Sequence, residues 1–144
     1  MTSNTMTSLL NLKANPWSMG LGLALGMIIG LTPLLSLHNL IVLFIVLFFR
    51  VHLLSALFGF LLFSLLSPLF AQTMASLGES LLTNPGYQDL WTAFYNSALG
   101  PISQFNHTLT FGSLVLSLML FPVVLVLGAY AAKRMVGNHK AKEA

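Results

Sequence analysis

Few residues in this chain could do chemistry, and they stand far apart. His38 and Asn39 lie inside a long apolar run, Arg50 closes that run, His52 follows it, and Glu79, Asp89 and His107 sit in a later, more polar stretch. An ionisable group within a hydrophobic segment is a functional suspect, because leaving water unpaired is costly. His38 has no acidic neighbour in sequence, so the plainer expectation is a hydrogen bond to a carbonyl across a helical bend, with Asn39 bonding a neighbouring helix. Both residues are candidate lipid or substrate contacts. Arg50 would grip a lipid phosphate with its planar fork, although as a simple interface anchor it needs no further role. Glu79 and Asp89 are the only carboxylates before the C-terminal tail. Hydrolytic chemistry wants such a pair held across a cleft, and their spacing in a loop does not supply one. His107 completes no metal-ligand pattern. The chain has no Walker loop, no G-x-S-x-G, no H-E-x-x-H and no acidic pair for magnesium. Zero cysteines remove disulfides, iron–sulfur clusters and thiolate zinc sites. The expectation is a protein without enzymatic activity, cofactor or metal.

The elements that must position these residues are apolar helices. With 56% hydrophobic and 6% charged residues in 144, the composition excludes an ordinary water-soluble globule. A net charge of +3 provides no basic face for nucleic acid. Four apolar blocks can be marked, at 17–32, 34–49, 53–75 and 109–132. The last two are long enough for a hydrocarbon core of about 30 Å, which takes about 20 helical residues. The first two, near 15 residues each, reach only about 23 Å at 1.5 Å per residue. Within the first, Gly22, Gly26 and Gly30 recur every fourth residue and Pro33 follows. That spacing makes a bare helical face suited to close packing by another helix or a partner.

The charges decide the threading. All six Lys and Arg (Lys13, Arg50, Lys133, Arg134, Lys140, Lys142) lie before block one, after block two or after block four. One cytoplasmic compartment holds them all only if blocks one and two fold back as a hairpin at Thr32–Pro33, where proline disfavours helix. The expected organisation is a polar cytoplasmic N-terminus (1–15) and a single membrane domain (16–133), followed by a basic cytoplasmic tail (134–144). The domain comprises a broken or re-entrant hairpin (17–49), a span (53–75), an outer loop (76–108) and a second span (109–132). Pro68 would kink the first span, with Ser64 and Ser67 available to a freed carbonyl. In the outer loop, Leu90, Trp91, Phe94, Tyr95, Ala98 and Leu99 share one helical face, between start signals at Asn84-Pro85-Gly86 and stop signals at Gly100-Pro101. An interfacial helix fits there, with Trp17, Tyr87, Trp91 and Tyr95 as headgroup-level anchors. The fold class is thus an all-α integral membrane protein with both termini in the cytoplasm.

The run Ala24-Leu25-Gly26-Met27-Ile28-Ile29-Gly30-Leu31-Thr32-Pro33, with its apolar limb closed at Phe49-Arg50, resembles a family of small bacterial inner-membrane proteins of unknown function. Its members share an A-L-G-x-x-x-G-x-x-P core, and the likeness covers residues 15–70, with weaker agreement to 134. The chain resembles a divergent branch: Ser36 stands where many relatives have Gly, Val51-His52 where they have Asn, and Ser67-Pro68 where they have Asn-Pro. The branch it resembles is often encoded beside an AsmA-like envelope protein of the lipid-bridge type. That resemblance implies a non-enzymatic inner-membrane subunit partnering a large AsmA-like periplasmic protein in lipid transport between membranes. The alternative is a small stand-alone transporter or lipid flippase acting as a homo-oligomer in contact with membrane lipids.

Overall fold

The computed structural model describes residues 15–49, 51–103 and 107–143. Lys13 and Arg50, with the compartment and lipid-phosphate roles expected of them, lie outside the described residues, as do the side chains of Lys140 and Lys142. Among the described residues every regular element is helical.

Helix α1 (Pro16–Leu31) starts where Asn15 Oδ1 accepts the Trp17 amide at 3.1 Å and Pro16 occupies the first turn. It ends at an extended Thr32, because Pro33 has no N–H with which to continue. Helix α2 (Leu37–Phe48) follows, then α3 (Leu53–Leu82), whose first turn is capped by His52 Nδ1 accepting the Ser55 amide at 3.1 Å. A 3₁₀ turn (Pro85–Tyr87) opened by Asn84, the short helices α4 (Gln88–Tyr95) and α5 (Gly100–Ser103), and the long α6 (Thr108–Glu143) complete the order.

The base of the α1–α2 hairpin is closed by the His52 amide donating to the Ser18 carbonyl at 3.4 Å. The chain therefore leaves α2 at the end where α1 began, and α3 sets out parallel to α1. The register between them advances in steps of four. A methyl group built on Gly22 would lie 2.6 Å from the His52 carbonyl oxygen, one on Gly26 would strike the Ala56 carbonyl, and one on Gly30 would lie 2.7 Å from the Phe60 carbonyl. Gly59 returns the contact against the Leu23 carbonyl. The glycine face is thus filled by the chain's own α3, backbone on backbone. Helix α6 comes back antiparallel to α3: Gly78 and Gly112 abut at one end, while Gly20 meets Leu125 and Ala129 at the other, where Gly128 also approaches the Gly20 Cα. Around these contacts Met27, Leu31 and Met74 are buried under Phe63, Phe70 and Leu116, and Leu25, Ile28, Val42, Val46 and Ala56 form a second cluster.

Helices α3 and α6 are each long and apolar enough to cross a membrane. Both run past the apolar blocks, to Leu82 and Glu143, and each continues as one helix through its proline, Pro68 or Pro122. Glu79 accordingly stands on α3 and not in a loop. The outer segment also differs from its expected form. The face from Leu90 to Leu99 does not persist, because α4 stops at Tyr95 and the chain reverses so tightly that Gly100 presses on the Phe94 and Tyr95 carbonyls. Gly100-Pro101 then opens α5 and does not merely end a helix.

Close approach makes a sharp prediction. Replacing Gly26 with Leu should abolish the compact fold. Gly26→Ala should already cost about 1–3 kcal/mol as an overpacked contact. Gly137 has open space around it, so Gly137→Ala should be neutral or up to about 1 kcal/mol stabilising. Thermal unfolding of the detergent-purified variants reads all three.

Candidate functional site at the hairpin tip

The five residues between α1 and α2 carry most of the buried polar chemistry of the hairpin. Thr32, Ser36 and Asn39 are all buried. Thr32 Oγ1 lies 2.5 Å from Asn39 Oδ1 and 2.6 Å from the Ile28 carbonyl. A hydroxyl has one proton to give. The Ile28 carbonyl also accepts the Thr32 amide, so the hydroxyl proton is shared between that oxygen and Asn39 Oδ1. Asn39 Nδ2 then donates to the Pro33 carbonyl at 2.9 Å, spanning the hairpin. The same carbonyl accepts Ser36 Oγ at 2.7 Å, and Ser36 Oγ is 3.1 Å from His38 Nε2. Pro33 therefore acts twice: its missing N–H ends α1, and its carbonyl is the hub on which the return limb is hung.

The carbonyl bond across the hairpin expected of His38 is made by Asn39, while His38, half-buried, bonds the serine two residues before it. One residue along a helix is a rotation of about 100°, so Asn39 faces α1 and His38 faces the outer segment. There His38 borders an apolar groove shared with Ile41, Trp91, Phe94, Phe111 and Leu114.

Beside the tip lies a cleft of 330 Å³ lined by Gly30, Leu31, Thr32, Pro33, Leu34, Ser64, Ser67, Pro68, Ala71 and Leu109. Ser64 and Ser67 face it, and among the described residues no hydrogen bond engages either hydroxyl. Ser113 and Ser117, by contrast, are fully buried on α6 and bond back to the carbonyls of Thr110 and Leu114 in their own helix.

The remaining candidates are not brought together. Glu79, Asp89 and His107 are exposed, and among the described residues no group of three His, Cys, Asp or Glu could hold a metal. Asp89 stands in the first turn of α4, where it complements the positive end of the helix dipole. His52 caps α3. Trp17, Tyr87 and Tyr95 are exposed to about half of their surface, whereas Trp91 turns inward: its Nε1 donates to the Leu81 carbonyl at 3.0 Å and its ring meets Phe111 edge-on at 5.1 Å. Trp91 thus covers the end of α3. Reading along the chain missed Gly20, Gly59, Gly78, Gly112 and Gly128 as contact residues. Their partners lie in other helices, so no spacing within one helix marks them.

A family model described as an uncharacterized protein conserved in bacteria, DUF2062, matches residues 1–141. No curated protein and no solved structure matches the chain.

Asn39→Leu should lower stability by about 1–3 kcal/mol by removing the amide that joins Thr32 Oγ1 to the Pro33 carbonyl. His38→Ala should cost less, since Ser36 keeps its bond to Pro33. Unfolding midpoints in detergent test the ranking, and equal losses would contradict it.

Proposed function

The chain belongs to the DUF2062 family of uncharacterized proteins conserved in bacteria, and from that premise we propose a multi-pass inner-membrane protein acting as a non-enzymatic subunit beside an envelope partner in lipid movement. The observation that supports the bilayer placement is the outer surface. Only 11% of the most apolar window of α3, and the same share of α6, is buried. Large side chains such as Leu65, Leu69, Leu118, Met119 and Leu127 are more than half exposed. A core helix of a soluble protein would hide these faces; a lipid-bathed one leaves them outward.

On this placement the hairpin is re-entrant. The uncharged, apolar part of α3 from Leu53 to Ala71 covers about 28 Å at 1.5 Å per residue, and the tip of the hairpin lies against Ser64, Ser67 and Ala71. The chain dips through most of the bilayer and returns, so residues 15 and 51 share the cytoplasmic side with Lys133 and Arg134. The outer face of α2, with Leu40, Leu43, Phe44, Leu47 and Phe48 exposed, is the surface left for a partner's helix. The resemblance to proteins encoded beside AsmA-like partners supports a periplasmic lipid conduit in that place. The stand-alone transporter or flippase is favoured instead by one feature, the cleft at the tip, whose Thr32, Ser64 and Ser67 stand in an otherwise apolar wall.

The chain has no native cysteine, so single cysteines report cleanly. Cysteines at Lys13, Val51 and Gly137 should resist an impermeant maleimide in intact spheroplasts, while one at Tyr87 should react. Co-purification of a large periplasmic protein supports the subunit reading. Lipid scrambling by the chain reconstituted alone would replace it with the flippase.

A further inference from the structure

We propose that the cleft at the hairpin tip is a seat for a small monovalent cation, taken either as a free ion or as the primary ammonium of a lipid headgroup. Several backbone oxygens at the tip have lost their usual donors. The last carbonyls of any helix lack intrahelical partners and carry its negative end. In α1 the last backbone bond runs from Thr32 to Ile28, so the carbonyls of Gly30 and Leu31 are left open at the end that forms the cleft wall. The facing wall is α3. There Pro68 has no N–H to give the Ser64 carbonyl one turn earlier, and Ser64, Ser67, Pro68 and Ala71 all line the cleft at helical spacing. The two serine hydroxyls add two more oxygens on that face. Two unrelated chain features, a helix end and a proline inside another helix, thus bring residues with undonated carbonyls to the border of one 330 Å³ space.

The chemistry of the wall selects the ligand. No Asp, Glu, Lys, Arg or His lines the cleft. A divalent cation is hard to dehydrate and is usually held by carboxylates. Neutral carbonyl and hydroxyl oxygens suit a monovalent ion whose water they replace, and broken helices in membrane transporters present carbonyl ends to such ions. A primary ammonium asks for the same oxygens through its N–H groups. Leu34, on the rim of the cleft, is 63% exposed.

This site depends on the folded hairpin and not on any envelope partner, so the test uses the purified full chain in detergent and leaves the topology experiment independent. Thermal unfolding is followed in sodium chloride, ethanolamine hydrochloride and choline chloride at equal ionic strength; choline has no N–H and is bulky. Sodium or ethanolamine should raise the midpoint by about 3 °C over choline. A sodium shift alone assigns a free ion. An ethanolamine shift alone assigns a headgroup, and should recur in nanodiscs of phosphatidylethanolamine but not phosphatidylcholine. Pro68→Ala returns an N–H to the Ser64 carbonyl and should halve or abolish the shift, as should the Ser64→Ala/Ser67→Ala double variant, which keeps the helix intact. Equal midpoints in the three salts, or a shift undiminished in both variants, would overturn the assignment.

Discussion

The architecture depends on how closely three helix backbones approach one another. Where α1 meets α3, where α1 meets α6 and where α3 meets α6, the contact is made by glycine against a carbonyl or amide of the facing helix. Such contacts are short-range and steric, so they work in an apolar surrounding where burying a leucine against lipid gains little. They also fix register. With Gly22, Gly26 and Gly30 seated in turn along α3, a slip by one residue would drive a leucine, methionine or isoleucine side chain into backbone. Helix α1, too short to cross a bilayer alone, is held between two longer helices by these contacts.

The hairpin tip follows from that constraint. Because α1 is locked to α3, the chain must reverse beside Ser64 and Pro68, and its irregular backbone needs internal partners. Thr32, Ser36 and Asn39 supply them through the Pro33 carbonyl. The network holds the turn shut, and the helix-end carbonyls it leaves open give the neighbouring cleft its acceptor character. Stability and candidate function thus share one turn without sharing the same atoms.

Much of this was legible along the chain. The four-residue glycine period and the Thr32–Pro33 break announce the packing face and the bend, since both are local. The existence of two long apolar helices is equally local. What could not be read is pairing across distance: Gly78 and Gly112 meet across the whole outer segment, and Gly20 meets Gly128 at opposite ends of the sequence. His38 drew attention because it is ionisable, yet Asn39 does the bridging because its position on α2 faces α1. Trp91 fits an interfacial belt by type, but the tight reversal at Gly100 folds its helix down onto Phe111. In each case tertiary geometry chose between two side chains that composition alone treats alike.

The fold-back is the claim on which the compartment of every basic residue, the cleft and the partner surface all depend, and a single distance decides it. Spin labels on cysteines replacing Trp17 and Leu53, both about half exposed, can be measured by double electron–electron resonance in nanodiscs. The hairpin predicts a separation on the order of one or two helix diameters, roughly 10–25 Å. A value near the length of one unbroken helix over the same residues, about 50 Å, would contradict it.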